Sequence, residues 1–162
     1  LAAKMDYPIH VVADEGHTSG VRLRDFGDFN NDSTTKSSAL VECGQHFDSE
    51  SPTIALNTIV AFLFACGMLD QASEQFSGPA SVTGQRLIEV SHAVTIQCDR
   101  FSFSGEFHCF EVIPKAGTPI ARDGTHDVVT PYDDCVLVMP ARHPYKGQTA
   151  VRLGRYVPDT KD

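Results

Sequence analysis

The sequence lacks the cysteine pattern of a disulfide framework. Its five cysteines are an odd number with wide, irregular spacing, and no two of them form a Cys-x-x-Cys pair. Small secreted scaffolds depend on an even set of paired cysteines. The cysteines are therefore interpreted as reduced, mostly buried thiols of a cytoplasmic protein; they are Cys43, Cys66, Cys98, Cys109 and Cys135.

Long apolar runs and positive charge are also scarce. The longest apolar run, residues 59–66, is too short to cross a membrane, and no signal-peptide pattern is found. The net charge is −8 and the isoelectric point is about 5.2. This balance argues against nucleic acid or an anionic membrane as a partner. A small anionic substrate is still compatible, because a local pair of arginines can override the global charge.

Glu42 is the most informative residue that is present. It ends the apolar run Ser38-Ala39-Leu40-Val41, which predicts a short buried strand over residues 39–43. An acid where the chain turns out through Gly44 would lie at the rim of a sheet, which is where open α/β sheets bind substrates. A carboxylate there needs a partner or a chemical role, and a salt-bridged or solvated turn residue is the alternative.

The first half of the chain is predicted to mix helix and strand. Residues 1–5 resemble the end of a helix, residues 10–13 a first strand, and residues 14–32 a long polar loop. A helix is predicted over residues 51–66, with Ser51 as N-cap, Pro52 at the first helical position and Gly67 as the stop. Its apolar residues extend almost all round, so we expect it to be buried on most sides against a sheet.

The second half is predicted to be all β. A polar stretch over residues 71–85 indicates a linker between a domain of residues 1–70 and a domain of residues 86–162. Strands are expected over residues 86–97, 100–107, 109–113, 127–130, 135–139 and 149–156, with turns at 114–119, 122–125, 131–134 and 144–147. Such regular spacing predicts a small barrel or sandwich.

Residues 36–70, KSSALVECGQHFDSESPTIALNTIVAFLFACGMLD, follow the order of a strand ending in an acid and a glycine, a polar loop and a helix. In this the segment resembles the succinylglutamate desuccinylase/aspartoacylase family of zinc carboxypeptidase-like deacylases, which residues 130–140 and 147–155 match more loosely. The resemblance implies the C-terminal part of a carboxypeptidase-like α/β domain followed by an all-β capping domain. It also implies that the chain begins in the middle of a domain, with the zinc ligands before Leu1.

The same resemblance implies a function. Glu42 would be the general base that activates a zinc-bound water, and the full-length protein would be a zinc-dependent amidohydrolase acting on a small N-acyl amino acid. This chain alone would be inactive, and it would contribute no metal ligand. A homo-oligomer is possible. The alternative is a non-catalytic β-domain fragment that acts as a binding or capping module.

Three further residues are candidates for substrate binding. Arg22 and Arg24 carry guanidinium forks suited to a carboxylate, and the resemblance implies an arginine a little before the catalytic acid. The alternative is that these arginines pair with Asp25 or Asp28. Tyr145 is expected on a turn, and the resemblance implies that the β-domain can lend a tyrosine to the active site; an ordinary turn aromatic is the alternative.

Two other constellations are disfavoured as sites. A Cys43–His46 nucleophile pair is possible but has no further support, and a buried structural cysteine is the preferred interpretation. His108 and Glu111 have the spacing of two zinc ligands, but on the expected strand their side chains would point to opposite faces. The remaining histidines of interest are isolated, so no metal site is predicted in this chain; they are His17, His92, His126 and His143.

Overall fold

The computed structural model describes residues 1–14, 21–31, 33–45, 47–70 and 84–158. The chain divides into two compact units, one of Leu1–Val11 with Thr18–Arg86 and one of Val12–His17 with Leu87–Asp162. The expected domains of residues 1–70 and 86–162 stay a prediction, because contacts within a chain do not show which parts fold independently. Most of the expected linker lies outside the described residues. No helix in the described ranges is long and apolar enough to span a membrane.

Helices dominate the described part of the first unit. Helix α1 (Ala2–Met5) packs against helix α2 (Ser51–Ala65), and 3₁₀ helices cover Leu23–Asp25 and Gly27–Asn30. The expected helix end at residues 1–5 and the helix at residues 51–66 are both found. The expected polar loop over residues 14–32 is wrong for residues 23–30, where the chain forms these two short helices.

The two ends of α2 differ in how well the sequence predicts them. At the C-terminus the Met68 amide donates to the Leu63 carbonyl and the Gly67 amide to the Phe64 carbonyl, both at 2.9 Å. This paired pattern is a Schellman motif, and it makes Gly67 the expected stop. At the N-terminus the cap is Glu50 rather than Ser51. Ser51 lies inside the helix, and its hydroxyl donates to the Gln45 carbonyl at 3.0 Å.

Helix α2 is buried on one side only. Thr58, Val60 and Ala61 are buried, whereas Leu56 is 59% and Ile59 is 56% exposed. The expectation of burial on most sides is therefore wrong for this chain. The Thr58 hydroxyl is satisfied inside the helix, since it donates to the Ile54 carbonyl at 2.7 Å.

Two sheets contain all the described strands. The strands are β1 (His10–Ala13), β2 (Arg86–Thr95), β3 (Phe101–Phe103), β4 (Val112–Ile113), β5 (Pro119–Asp123), β6 (His126–Val129), β7 (Cys135–Val138) and β8 (Thr149–Tyr156). The five-stranded sheet has the order β1-β2-β8-β7-β4 and the three-stranded sheet the order β3-β5-β6. The strand expected over residues 10–13 is confirmed, but β5 falls largely in stretches predicted as turns.

The two sheets of the second unit pack on one core. Ile113, Cys135, Leu137, Val151 and Leu153 of the larger sheet form one buried cluster with Ile120 of the smaller sheet. Neither sheet closes on itself among the described residues. The all-β character of this half is thus confirmed as two packed layers, and a closed barrel is not formed.

A β-bulge at Ser91 redirects strand β2. Before it, Ile88 and Val90 face a second apolar cluster with Val136 and Val138. The pairing with β8 then shifts between Val90 and His92, so one residue is extra on β2. After it, Val94 packs on the other side, against the core shared with the smaller sheet. Since side chains alternate along a strand, one extra residue exchanges the two faces.

Candidate functional site

The segment that carries Glu42 is extended but is not a β-strand. Residues 39–43 form no ladder with another described segment, and Leu40 is 58% exposed. The expected buried strand is therefore wrong in this chain. A strand needs neighbours for its backbone groups, and the structure places none beside this segment among the described residues.

The expected alternation of side chains along this segment is nevertheless present. Ala39, Val41 and Cys43 line an apolar cavity of about 360 Å³, whose other walls are α1 and α2 through Met5, Ala55, Thr58, Ile59 and Phe62. Leu40 and Glu42 are exposed and do not line this cavity. The two-residue period thus separates Cys43, on the apolar side, from Glu42, as the sequence predicted.

Glu42 is an exposed carboxylate that has no counter-charge among the residues the structure describes. Across the described ranges no ion pair involves it. Immediately after Cys43 the chain turns at Gly44, whose φ is +110°. The salt-bridged alternative for Glu42 is therefore not realised among the described residues, and its carboxylate is accessible to solvent and to a reactant.

Arg22 and Arg24 both contact Asp25. The Arg22 Nε lies 2.5 Å from one carboxylate oxygen of Asp25 and its Nη2 lies 3.3 Å from the other. The Arg24 Nε lies 3.4 Å from Asp25 Oδ1. The hydrogen bond from Arg22 lowers the pKa of Asp25, and the charges of both arginines act in the same direction. Asp25 is therefore ionised at neutral pH and occupies the fork that a substrate carboxylate would need.

Sequence reasoning treated Asp25 only as an alternative partner, yet it is the residue that holds the two arginines together. The signal was present in the sequence, because an acid three residues after Arg22 in a helical turn lies on the same side. Asp28, the other alternative partner, contacts Lys36 Nζ at 2.5 Å instead.

Tyr145 lies on a turn, as expected. Its carbonyl accepts a hydrogen bond from the Gln148 amide at 3.1 Å, and its side chain is 66% exposed. The neighbouring residues Arg142, His143 and Lys146 are exposed as well. The phenol is thus presented to solvent, which is compatible both with a contact to a ligand and with an ordinary turn aromatic.

His108 and Glu111 lie in a turn and not on a strand. The Glu111 amide donates to the His108 carbonyl at 3.2 Å, and the His108 amide donates to Glu111 Oε2 at 2.9 Å. The strand expected over residues 109–113 is shortened to Val112–Ile113, and Phe110 has a φ of +67°. The expectation that the two side chains point to opposite faces of a strand is therefore wrong. The Glu111 carboxylate instead accepts a hydrogen bond from the backbone of its own turn.

The described residues do not fit a zinc ion. No group of three or more histidine, cysteine, aspartate or glutamate residues comes together in the described ranges. Structural zinc takes four such ligands and catalytic zinc takes three. His17 and His46 lie outside the described residues, and with His46 the Cys43–His46 pair does too.

Two solved structures that are similar to this chain are both named as succinylglutamate desuccinylases. No family model and no curated protein matches the chain. The succinylglutamate desuccinylase structure from Vibrio parahaemolyticus matches with a TM-score of 0.45 at 22% identity, over 64% of this chain and 30% of that one. The structure from Vibrio cholerae matches with a TM-score of 0.48 at 18% identity, over 67% and 32%. The chain thus spans about a third of their length, and both bear the name of the family that the sequence resembles.

Proposed function

We propose that this chain is the C-terminal part of a zinc-dependent amidohydrolase that deacylates a small N-acyl amino acid. The observation that carries the proposal is Glu42, an exposed carboxylate that pairs with no described residue and lies in the segment with the family resemblance. A cytoplasmic location belongs to the same proposal. Zinc ligands would have to come from residues other than the described ones, since these bring no three donors together.

Glu42 would act as a general base and then as a general acid. Its carboxylate takes a proton from the water that attacks the amide carbonyl, and the same proton passes to the nitrogen as the carbon–nitrogen bond breaks. The products are the acyl carboxylate and the free amino acid. Such proton transfer typically contributes about 10²–10⁴-fold to the rate. No described residue forms an ion pair with the Glu42 carboxylate, so its oxygens are open to the water and to the leaving nitrogen.

The substrate carboxylate would be bound by an arginine that gives up its contact with Asp25 and takes the substrate carboxylate in its place. Arg24 is better suited to this exchange than Arg22, because its contact with Asp25 is longer, 3.4 Å against 2.5 Å. Arg22 makes two contacts with Asp25 and would hold that carboxylate in place. Tyr145 is a further proposed contact to the substrate.

The decisive experiment replaces Glu42 by Gln in the protein encoded by the full gene. We expect zinc content to be unchanged while hydrolysis of N-acylated aspartate or glutamate falls by about 10²–10⁴-fold. The matched control is Glu50→Gln, which neutralises another exposed carboxylate eight positions away and should leave turnover unchanged. If Glu42→Gln keeps more than about a tenth of the wild-type kcat, Glu42 is not the base.

The second candidate function is a binding module formed by the β-rich unit. The observation that favours it is the distribution of the core: among the described residues, the side chains that are less than 2% exposed all lie between residues 88 and 151. The upstream gene sequence separates the two candidates. A His-x-x-Glu followed by a further histidine before Leu1 supports the hydrolase, whereas its absence supports the module.

A further inference from the structure

Four residues of the β-rich unit form a polar cluster that the proposed hydrolase does not use. Ser91 and His92 come from the bulge of β2, Tyr132 precedes β7, and Arg155 lies near the end of β8. We call them the Tyr132 cluster, because Tyr132 contacts the other three. Its ring lies 3.8 Å from the Arg155 guanidinium carbon and 6.3 Å from the His92 ring centre. Its hydroxyl lies 2.5 Å from Ser91 Oγ.

The bulge places the polar side chains on one face. Arg155 has the same parity along β8 as Val151 and Leu153, which face the core shared by the two sheets. Tyr132 also packs against that core. Because the bulge exchanges the faces of β2, His92 falls on the side of Val94, which again is this face. The cluster therefore lies on the core-facing side of the sheet, just beyond the apolar contacts, and is exposed to solvent there.

The hydrogen bonds of Ser91 are saturated within the cluster. Its hydroxyl contacts the Leu153 carbonyl at 3.2 Å, His92 Nδ1 at 2.8 Å and the Tyr132 hydroxyl. A hydroxyl has one proton and two lone pairs, so all three contacts are satisfied if Ser91 donates to the carbonyl and accepts from His92 and Tyr132. Burial raises the pKa of Tyr132, which keeps its phenol protonated as that donor. These bonds hold the His92 and Tyr132 rings in place.

Arg155 is the residue of the Tyr132 cluster that can bind a ligand. Its guanidinium is stacked on the Tyr132 ring and is exposed, and no ion pair or hydrogen bond of its nitrogens is recorded with the described residues. Stacking covers the plane of the guanidinium but leaves its N–H edges open, and these edges match an oxyanion in a bidentate way. Glu89 lies opposite Arg155 in the strand register, yet no ion pair joins them.

We infer that the Tyr132 cluster is a binding site for a small oxyanion, a carboxylate or a phosphate group, with Arg155 as the ligand-binding residue and Tyr132 as its support. The site lies entirely within the β-rich unit. It depends neither on Glu42 nor on zinc.

The test is an NMR titration of the 162-residue chain, following the Arg155 side-chain Nε–H and the amides of Ser91 and His92. Sodium succinate and sodium phosphate are the probes, and sodium chloride at equal ionic strength is the control. We expect saturable shifts with an oxyanion and none with chloride. The stronger of the two probes identifies the ligand as a carboxylate or a phosphate. Shifts that do not saturate, or that chloride reproduces, would overturn the inference.

Two substitutions that should change oxyanion binding in opposite directions complete the test. Arg155→Gln keeps the stem of the side chain and should weaken binding at least about tenfold, the scale of one charge-assisted contact. Arg122→Gln is the matched control, because Arg122 is an exposed arginine that lies 3.7 Å from Asp127, and it should bind as the wild type does. Glu89→Gln should tighten binding, since it removes the carboxylate that lies opposite Arg155 in the strand register. If Arg155→Gln fails to fold, Glu89→Gln decides: unchanged or weaker binding refutes the site.

Discussion

Replacing Gly154 by Ala should destabilise the five-stranded sheet from its centre. Gly154 pairs with Val90 on one side and Val136 on the other. A Cβ atom at this position would lie 2.7 Å from the Glu89 carbonyl oxygen and 2.8 Å from Ile88 Cγ2. The first of these atoms is backbone and cannot rotate away, so strand β2 must move.

The expected size follows from two opposing terms. Overpacking of this kind costs about 1–3 kcal/mol. Alanine recovers about 0.4–1 kcal/mol by reducing the freedom of the unfolded chain. The net loss of unfolding free energy is then about 1–2 kcal/mol, which lowers the Tm of a unit of this size by about 5–15 °C.

Thermal unfolding followed by circular dichroism or calorimetry measures this loss. The matched control is Gly105→Ala, because a Cβ at Gly105 meets nothing within 4 Å and its φ is not positive. That variant should be as stable as the wild type or slightly more stable. Equal Tm values for Gly154→Ala and Gly105→Ala would refute the close approach of β2 and β8 at this point.

Three other predictions concern titration, reactivity and substrate binding. Burial raises the pKa of Cys135 to about 11, so its thiol should resist a thiol reagent at pH 8, whereas the exposed Cys66 should react within the same assay. Hydrogen bonds from the Cys98 side chain and from the Gln97 and Cys98 amides lower the pKa of Asp123 below its ordinary value of 3.8. Its stabilising contribution is therefore present above that value and lost as pH falls through the folded pKa, so the Tm difference between wild type and Asp123→Asn should shrink as the pH is lowered below 3.8. If Arg24 binds the substrate carboxylate, Arg24→Ala should raise the activation free energy that corresponds to kcat/KM by about 2–4 kcal/mol on the acid substrate but not on its amide analogue. An equal loss on both substrates would mean that Arg24 supports the fold of its 3₁₀ helix instead.

The elements that the sequence predicted well depend on interactions between residues that are close together in the chain. Helix α2 combines strong helix formers with a glycine at its end, and Gly67 closes a Schellman motif whose partners lie within six residues. Strand β1 and most strands of the β-rich unit follow from short apolar runs between turn residues. Strand β5 was missed because Pro119 and Asp123 are turn residues by composition, and only its pairing with β3 and β6 makes the segment a strand.

The candidate site also contains some features that follow from residues close in the chain and others that depend on distant partners. The separation of Glu42 from Cys43 follows from the two-residue period of an extended chain, which sequence alone predicts. The pairing of both arginines with Asp25 was an open alternative, because a loop arginine can face either a neighbouring acid or a ligand. Whether residues 39–43 become a strand depends on partners, and no property of those five residues supplies one.

Sequence by itself determined the all-β character of residues 86–158, helix α2 with its stop, and the position of a carboxylate just before a turn. Each of these rests on residues a few positions apart, whose preferences act without distant contacts. Only the tertiary structure decided the bulge at Ser91, the exchange of faces along β2 and the stacking of Arg155 on Tyr132. These features join residues that are 23 or more positions apart in the chain, as with Tyr132 and Arg155. Their energies arise only when the sheet has formed, so no local pattern contains them.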